Sequence, residues 1–380
     1  MVRVRCVLVV VVVAVAVASC GGADTDEPAK SPAPQKGADA ATSRKLQEVL
    51  DFQRESYGAT GIAAAIVIGG RPFWSGGSGL ANRETEAPVT ADTPFPIFSI
   101  TKMFVAALAL KLAEQGRLKL DDPLSRALPD WPNADRITLR MLLNQTSGIG
   151  NNQRRLERDS DARPRKMWTP EETLRYARRE PPATPGERWE YNNANYVLAG
   201  LVIEQATGRP VAEALRELIL DPLELHDAVL QPQERPPRDT AHGYGGPPRI
   251  ARALRIGGRY APYPSEASAF WTGGSMVASA PSVARFGDAL LRGELLSPDS
   301  RRQLLRFVPA SEGFVGYGLG VAKGQTGVDE VWFHPGGGPG FITSVAHVPA
   351  KEITVAALSS GDADLRLLTT SLTEAALEAD

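Results

Sequence analysis

The sequence predicts an α+β fold: one antiparallel sheet built from both ends of the chain and flanked by helices, with a mostly helical region inserted at about residues 100–310. Three observations carry this expectation. Residues 62–68 form a continuous apolar run, Gly69-Gly70 has the form of a two-residue turn, and residues 72–78 return, so a hairpin stands near the N-terminus. Strand patterns come back near the C-terminus, at residues 315–322, 331–334, 341–348 and 353–358. Between these ends apolar residues recur mostly at helical spacing.

The 380 residues suffice for one large or two ordinary domains, and 43% hydrophobic with 23% charged residues is the balance of a chain with a sizeable core. A formal net charge of −2 gives no reason to expect nucleic acid as a partner. Cys6 and Cys20 are the only cysteines and both precede the globular part, so neither a disulfide nor a Cys-rich metal site supports the fold.

In chain order, residues 1–19 read as an export signal: Arg3 and Arg5 stand before an apolar run too short to span a bilayer. The end Val17-Ala18-Ser19-Cys20 resembles a bacterial lipobox, which implies cleavage before Cys20 and a lipid anchor on that cysteine, at the extracytoplasmic face of a membrane. Residues 21–43 lack aromatic residues and Val, Ile and Leu, so 20–43 is expected to be a lipidated cysteine with a disordered tether reaching roughly 25 Å. The folded domain is expected over 44–380. Ser43 is placed to cap a helix with Leu46, Val49, Leu50 and Tyr57 on its apolar face and Gly58 at its end. Further helices are expected over residues 137–143, from Thr169-Pro170, over 195–207 ending at Gly208, and over 279–291. Residues 154–166, rich in Arg and Asp and without apolar periodicity, read as a solvated loop. A last helix carries Leu365, Leu368, Leu372 and Ala376 on one face.

The chemistry centres on Phe98-Ser99-Ile100-Thr101-Lys102. Ser99 sits where a loop passes into a helix, and Lys102 follows on the same face one turn on. Such a serine can pass its proton to a neutral lysine or a nearby base. Its alkoxide then lies in the favourable field of a helix N-terminus, and its own backbone N–H can face an oxyanion. By itself S-x-x-K is also the pattern of a Ser-capped helix with a solvated lysine.

Two further motifs follow in order, Tyr191-Asn192-Asn193 and His334-Pro335-Gly336. Together the three resemble the serine β-lactamase and penicillin-binding-protein family, in the branch of class C β-lactamases, D-alanyl-D-alanine carboxypeptidases and family VIII esterases. Residues 142–149, Gly273-Gly274 and residues 317–320 have a similar look, and the resemblance spans about residues 45–378. It implies a β-lactamase/transpeptidase-like fold and a covalent acyl-enzyme that needs no cofactor. Ser99 is then the nucleophile, with Lys102 and Tyr191 exchanging its proton, and which of the two acts as base stays open. Asn193 is expected to hold Lys102 and a substrate amide, and His334 to line the cleft with Gly336. The oxyanion donors implied are the backbone N–H groups of Ser99 and Gly337.

Pro335 departs from the family, which carries Thr or Ser there to bind a substrate carboxylate, so an ester or an amide with an uncharged end is favoured. Gln145 stands where histidine is common and reads as a supporting position. There is no G-x-S-x-G elbow and no phosphate loop, and the four histidines lack metal-ligand spacing, so no metal is expected. The expected function is a lipid-anchored serine hydrolase. Its substrate is a small molecule or of peptidoglycan type, with esterase or peptidase ranked ahead of D-Ala-D-Ala carboxypeptidase and that ahead of β-lactamase. The alternative is an inactive penicillin-binding or sensor module of the same fold.

Overall fold

The computed structural model describes residues 37–378 apart from 181, 245–253, 257–258, 312 and 327–328. The signal segment, Cys20 and most of the expected tether lie outside the described residues.

The sheet is antiparallel throughout, and its strands run, edge to edge, Ala87–Pro88, Arg71–Asn82, Gly61–Ile68, Ile353–Ser360, Phe341–Val348, Asp329–Gly338, Ala322–Thr326, Gly316–Tyr317 and Val308–Pro309. The two ends of the chain meet at its centre, where Gly61 pairs with Ser360 and Ile68 with Ile353. Both central strands are buried along their whole length, which is why they read as apolar runs rather than alternating ones. Gly69 and Gly70 turn the first hairpin at φ +55° and +82°.

Helix Ala40–Tyr57 and helix Leu365–Leu377 cover one face, packing Leu46, Leu50, Leu365, Leu368, Leu372 and Ala376 on Ile62, Ile66, Ile353 and Val355. The first helix starts ahead of the expected Ser43. Asp39 accepts the Thr42 N–H at 2.8 Å and caps it, so residues 40–43 belong to the folded part rather than to a tether. Gly58 closes the helix at φ +65°, while Tyr57 points away from its apolar face and is 40% exposed.

The other face carries helix Ala280–Asp288, capped by Ser279, and helix Thr101–Glu114 packs against that helix, Phe104 stacking on Phe286. Every residue from Thr101 to Ala109 is 0% exposed, because a helix apolar all round has no face to give to water. Burying side chains such as Phe104 and Leu108 stabilises by about 1.5–3 kcal/mol each. The start of this helix is therefore held at a fixed depth.

Two further expectations fail. Residues 154–166 are not a loop throughout: Gln153–Asp161 is a helix whose Leu156 packs on Trp168 and Ala269. One apolar residue anchors it, too few to register as a periodic face. Residues 315–322 are not one strand either. Gly316–Tyr317 and Ala322–Thr326 are separated by a turn in which Gly320 takes φ +74°, and a Cβ there would lie 2.8 Å from the Lys102 carbonyl oxygen.

Candidate active site

The segment before Ser99 is fixed by three contacts. Phe95–Pro96 pairs with Met276–Ala278, the Ile97 N–H donates to the Met276 carbonyl at 3.0 Å, and Thr343 Oγ1 donates to the Ile97 carbonyl at 3.1 Å. Phe98 then adopts φ +46°, strained for a residue with a side chain, and Ser99 sits in the single 3-10 turn Phe98–Ile100 that runs into the buried helix. Strand Asp329–Gly338 can lie against this turn because it ends in glycines. A Cβ on Gly336 would stand 2.3 Å from the Ile97 carbonyl oxygen, and one on Gly338 would stand 2.0 Å from the Phe98 ring.

Lys102 lies one turn on from Ser99 and is fully buried. Its Nζ is 3.0 Å from Ser99 Oγ, 2.5 Å from Asn193 Oδ1 and 2.6 Å from the Gly273 carbonyl oxygen. Burial drives its pKa well below that of an ordinary lysine. A neutral amine has two hydrogens and one lone pair. Asn193 and Gly273 offer only acceptor oxygens, so an amine in that form would give them its two hydrogens and turn its lone pair to the Ser99 hydroxyl. Tyr191 approaches the same oxygen from another element, its hydroxyl donating to Ser99 Oγ at 2.8 Å. Ser99 Oγ thus lies within hydrogen-bond reach of an amine and a phenol at once.

Asn193 opens helix Asn193–Thr207, capped by Asn192, and the turn Trp271–Gly273 presents the Gly273 carbonyl. The dipeptide Gly273-Gly274 is visible in the sequence, but a backbone carbonyl leaves no residue-type signal of its role.

His334 is not where the sequence led us to expect it. It is 0% exposed and lies behind Tyr191 rather than at the cleft surface, with ring centroids 6.4 Å apart. Its Nδ1 donates to the Pro335 carbonyl at 2.7 Å, so Nε2 carries the lone pair and accepts the Tyr317 hydroxyl at 2.9 Å. Burial lowers its pKa from 6.5 to about 3, which keeps the ring neutral. The strand alternation turns the neighbouring Pro335 to the opposite face of the sheet, where it lines a groove with Phe333, Ser344 and Ala346. Gly336 is buried against Ile97 and Thr343, whereas Gly337 is exposed and has open space beside it.

Ser99, Tyr191, Asn193 and Gly337 line a cleft of about 410 Å³ with aromatic walls at Phe98 and Phe270. Its rim includes Gln153, Glu157 and Asp161 from the helix that reads as a loop in the sequence. Among the described residues no three His, Cys, Asp or Glu side chains gather as a metal-binding group.

A family profile described as Beta-lactamase matches residues 13–378. Esterase EstB of Burkholderia gladioli is 30% identical over 328 residues, covering 82% of each chain. Among solved structures, D-amino acid amidase from Ochrobactrum anthropi in complex with D-phenylalanine superposes with a TM-score of 0.77 at 25% identity, over 90% of this chain and all of that one. The octameric penicillin-binding protein homologue from Pyrococcus abyssi, at 24% identity and a TM-score of 0.71 over 88% of this chain and 77% of that one, is alike in fold.

Proposed function

The chain belongs to the Beta-lactamase family of serine hydrolases, and from that premise we propose that it hydrolyses an ester or amide through an acyl-enzyme on Ser99, while lipid-anchored outside the cytoplasm. The observation that carries the reading is the placement of Ser99 Oγ between the buried Lys102 amine and the Tyr191 hydroxyl.

The steps follow from that placement. The Ser99 proton passes to the Lys102 lone pair as Oγ attacks the substrate carbonyl carbon, and the developing oxyanion is received by the backbone N–H groups of Ser99 and Gly337. As the carbonyl re-forms, the leaving group departs with the Tyr191 proton. That leaves an ammonium and a phenolate flanking the Ser99 oxygen, and a proton passing between them restores both. Water attacks the acyl-enzyme by the same path in reverse.

Two features favour esters and amides without a carboxylate beside the scissile bond. His334 is neutral and buried, and Pro335 carries no hydroxyl and faces away from the cleft. The naming of one relative as an esterase and of one structural neighbour as a D-amino acid amidase agrees with that preference. D-Ala-D-Ala peptides rank next and β-lactams last. The contact of Ser99 with both partners argues against an idle binding module.

A fluorophosphonate probe tests the nucleophile: wild-type protein is labelled and Ser99→Ala is not. Turnover of nitrophenyl esters, amino acid amides, a D-Ala-D-Ala peptide and nitrocefin then orders the substrates, and preferred hydrolysis of nitrocefin would overturn the ranking. The anchor rests on the Val17-Ala18-Ser19-Cys20 sequence. Cys20→Ala is expected to move the protein from the membrane to the soluble fraction, and an unchanged distribution would contradict the anchor.

A further inference from the structure

We infer that Gln145 is a positioning residue that sets the Tyr191 phenol against Ser99, an inference that rests on the reading of Ser99 and Tyr191 given above. Gln145 follows the short helix Leu139–Leu143, is 1% exposed, and holds φ +67°, a left-handed conformation that glutamine seldom takes. Its surroundings explain why it is held there. Its backbone carbonyl accepts the Glu190 N–H at 3.0 Å, and its side-chain Oε1 accepts the Asn192 N–H, also at 3.0 Å. The residues on both sides of Tyr191 therefore hang from one residue. Further support comes from Asn151, which donates to the Tyr191 carbonyl, and from Asn192, which donates to the Gly150 carbonyl.

The same Oε1 accepts Asn195 Nδ2 at 2.6 Å, and Asn195 in turn accepts the Ser147 hydroxyl. This network fixes which way the amide faces and turns its Nε2 inward. Nε2 is buried and completes no hydrogen bond of ordinary geometry. It lies near the Tyr317 hydroxyl and acts to lower that phenol's pKa, against the burial that raises it. The Tyr317 ring packs edge-on against Tyr191, with centroids 6.3 Å apart, and its hydroxyl donates to His334. Gln145 thus reaches Tyr191 by two routes: through the main chain on either side, and through Tyr317 behind the ring. A length-matched side chain with an acceptor towards Asn192 and a donor towards Tyr317 meets both demands, and an apolar one meets neither.

The test compares Gln145→Met, Gln145→Glu and Ser99→Ala on an alkyl ester, whose leaving group needs the Tyr191 proton, with rates of the two Gln145 variants normalised to sites titrated by the fluorophosphonate and that of Ser99→Ala to protein concentration. Gln145→Met keeps the bulk and loses the hydrogen bonds. It is expected to lower kcat about 100-fold, the scale on which misplacement of a catalytic group is felt, with KM changed less than threefold. Gln145→Glu mimics the amide only while its carboxyl is protonated. Burial raises a carboxyl pKa, so kcat of this variant is expected to fall with rising pH through that raised value, a limb absent in the wild type. A residue needed only for folding would lower the melting temperature and leave kcat per titrated site unchanged. Wild-type kcat in Gln145→Met, or a Glu variant with the wild-type pH profile, overturns the inference. If Gln145→Met does not fold, the Glu profile decides alone. Retained turnover in Ser99→Ala would instead refute the underlying reading of the site.

Discussion

Lys102 reaches Ser99 from one turn further along the same chain segment, Nζ to Oγ 3.0 Å, and does so from a position with no exposure to water. The two facts are linked. The buried helix that places the amine also removes the solvent that would keep it charged. In its neutral form the amine gives its two hydrogens to Asn193 and Gly273, and its lone pair then faces the serine.

Lys102→Arg is therefore expected to be far more harmful than its charge suggests. A guanidinium does not give up its proton in a protein, so acylation of Ser99 should slow by about 10²–10⁴-fold, the usual contribution of a general base. Stopped-flow acylation by a nitrophenyl ester checks this, and a variant within tenfold of wild type would exclude Lys102 as the base. In the wild type kcat/KM rises with pH through the Lys102 pKa. Because that pKa is lowered by burial, the plateau should begin well below the 10.5 of an ordinary lysine.

Tyr191→Phe separates the donor from the acceptor. A nitrophenolate leaves without help, while an amine or an alkoxide needs a proton. The loss should be about 10²–10⁴-fold for an amide or alkyl ester and much smaller for a nitrophenyl ester. Equal losses on both would mean that Tyr191 acts in the attack step instead.

Acid stability should follow two buried histidines. Burial lowers His334 from 6.5 to about 3 and His347 from 6.5 to about 4. Below pH 6.5 the unfolded chain takes up protons that the folded chain refuses, so stability falls as pH falls, by up to about 1.4 kcal/mol per pH unit for each histidine until its folded value is reached. The melting temperature should drop between pH 6.5 and 4, and His347→Gln, remote from Ser99, should flatten that slope. An unchanged slope in this variant would count against the burial argument.

Adjacent glycines should respond differently to a methyl group. A Cβ on Gly336 meets Thr343 Oγ1 at 2.2 Å and the Ile97 carbonyl at 2.3 Å, while one on Gly337 meets nothing within 4 Å. Gly336→Ala is expected to destabilise by about 1–3 kcal/mol and to lower kcat, since Ile97 leads directly into the Ser99 turn. Gly337→Ala should melt like the wild type. Thermal denaturation of the pair decides it.

What the sequence disclosed was what lies close together along the chain. Ser99 and Lys102 are three residues apart, so one helix turn brings them together whatever the rest of the fold does. The paired central strands showed as apolar runs because both their faces are covered. Less was legible where tertiary contacts decide. His334 lies on the expected strand, yet its burial behind Tyr191 depends on Tyr317, which arrives from a separate strand. The Gly273 carbonyl has no side chain to announce it. Helix Gln153–Asp161 has one apolar anchor, and the first helix is capped by Asp39 rather than by the expected Ser43. The influence of Gln145 on Tyr191 runs through backbone groups that no residue pattern marks.

The central claim is that Ser99 is acylated during turnover. Intact-protein mass spectrometry on rapidly quenched mixtures with a slowly deacylating ester tests it most directly. The prediction is an added mass equal to one acyl group, mapped to the peptide containing Ser99 in wild-type protein and absent from Ser99→Ala. An adduct on a different residue, or undiminished turnover by Ser99→Ala, would contradict it.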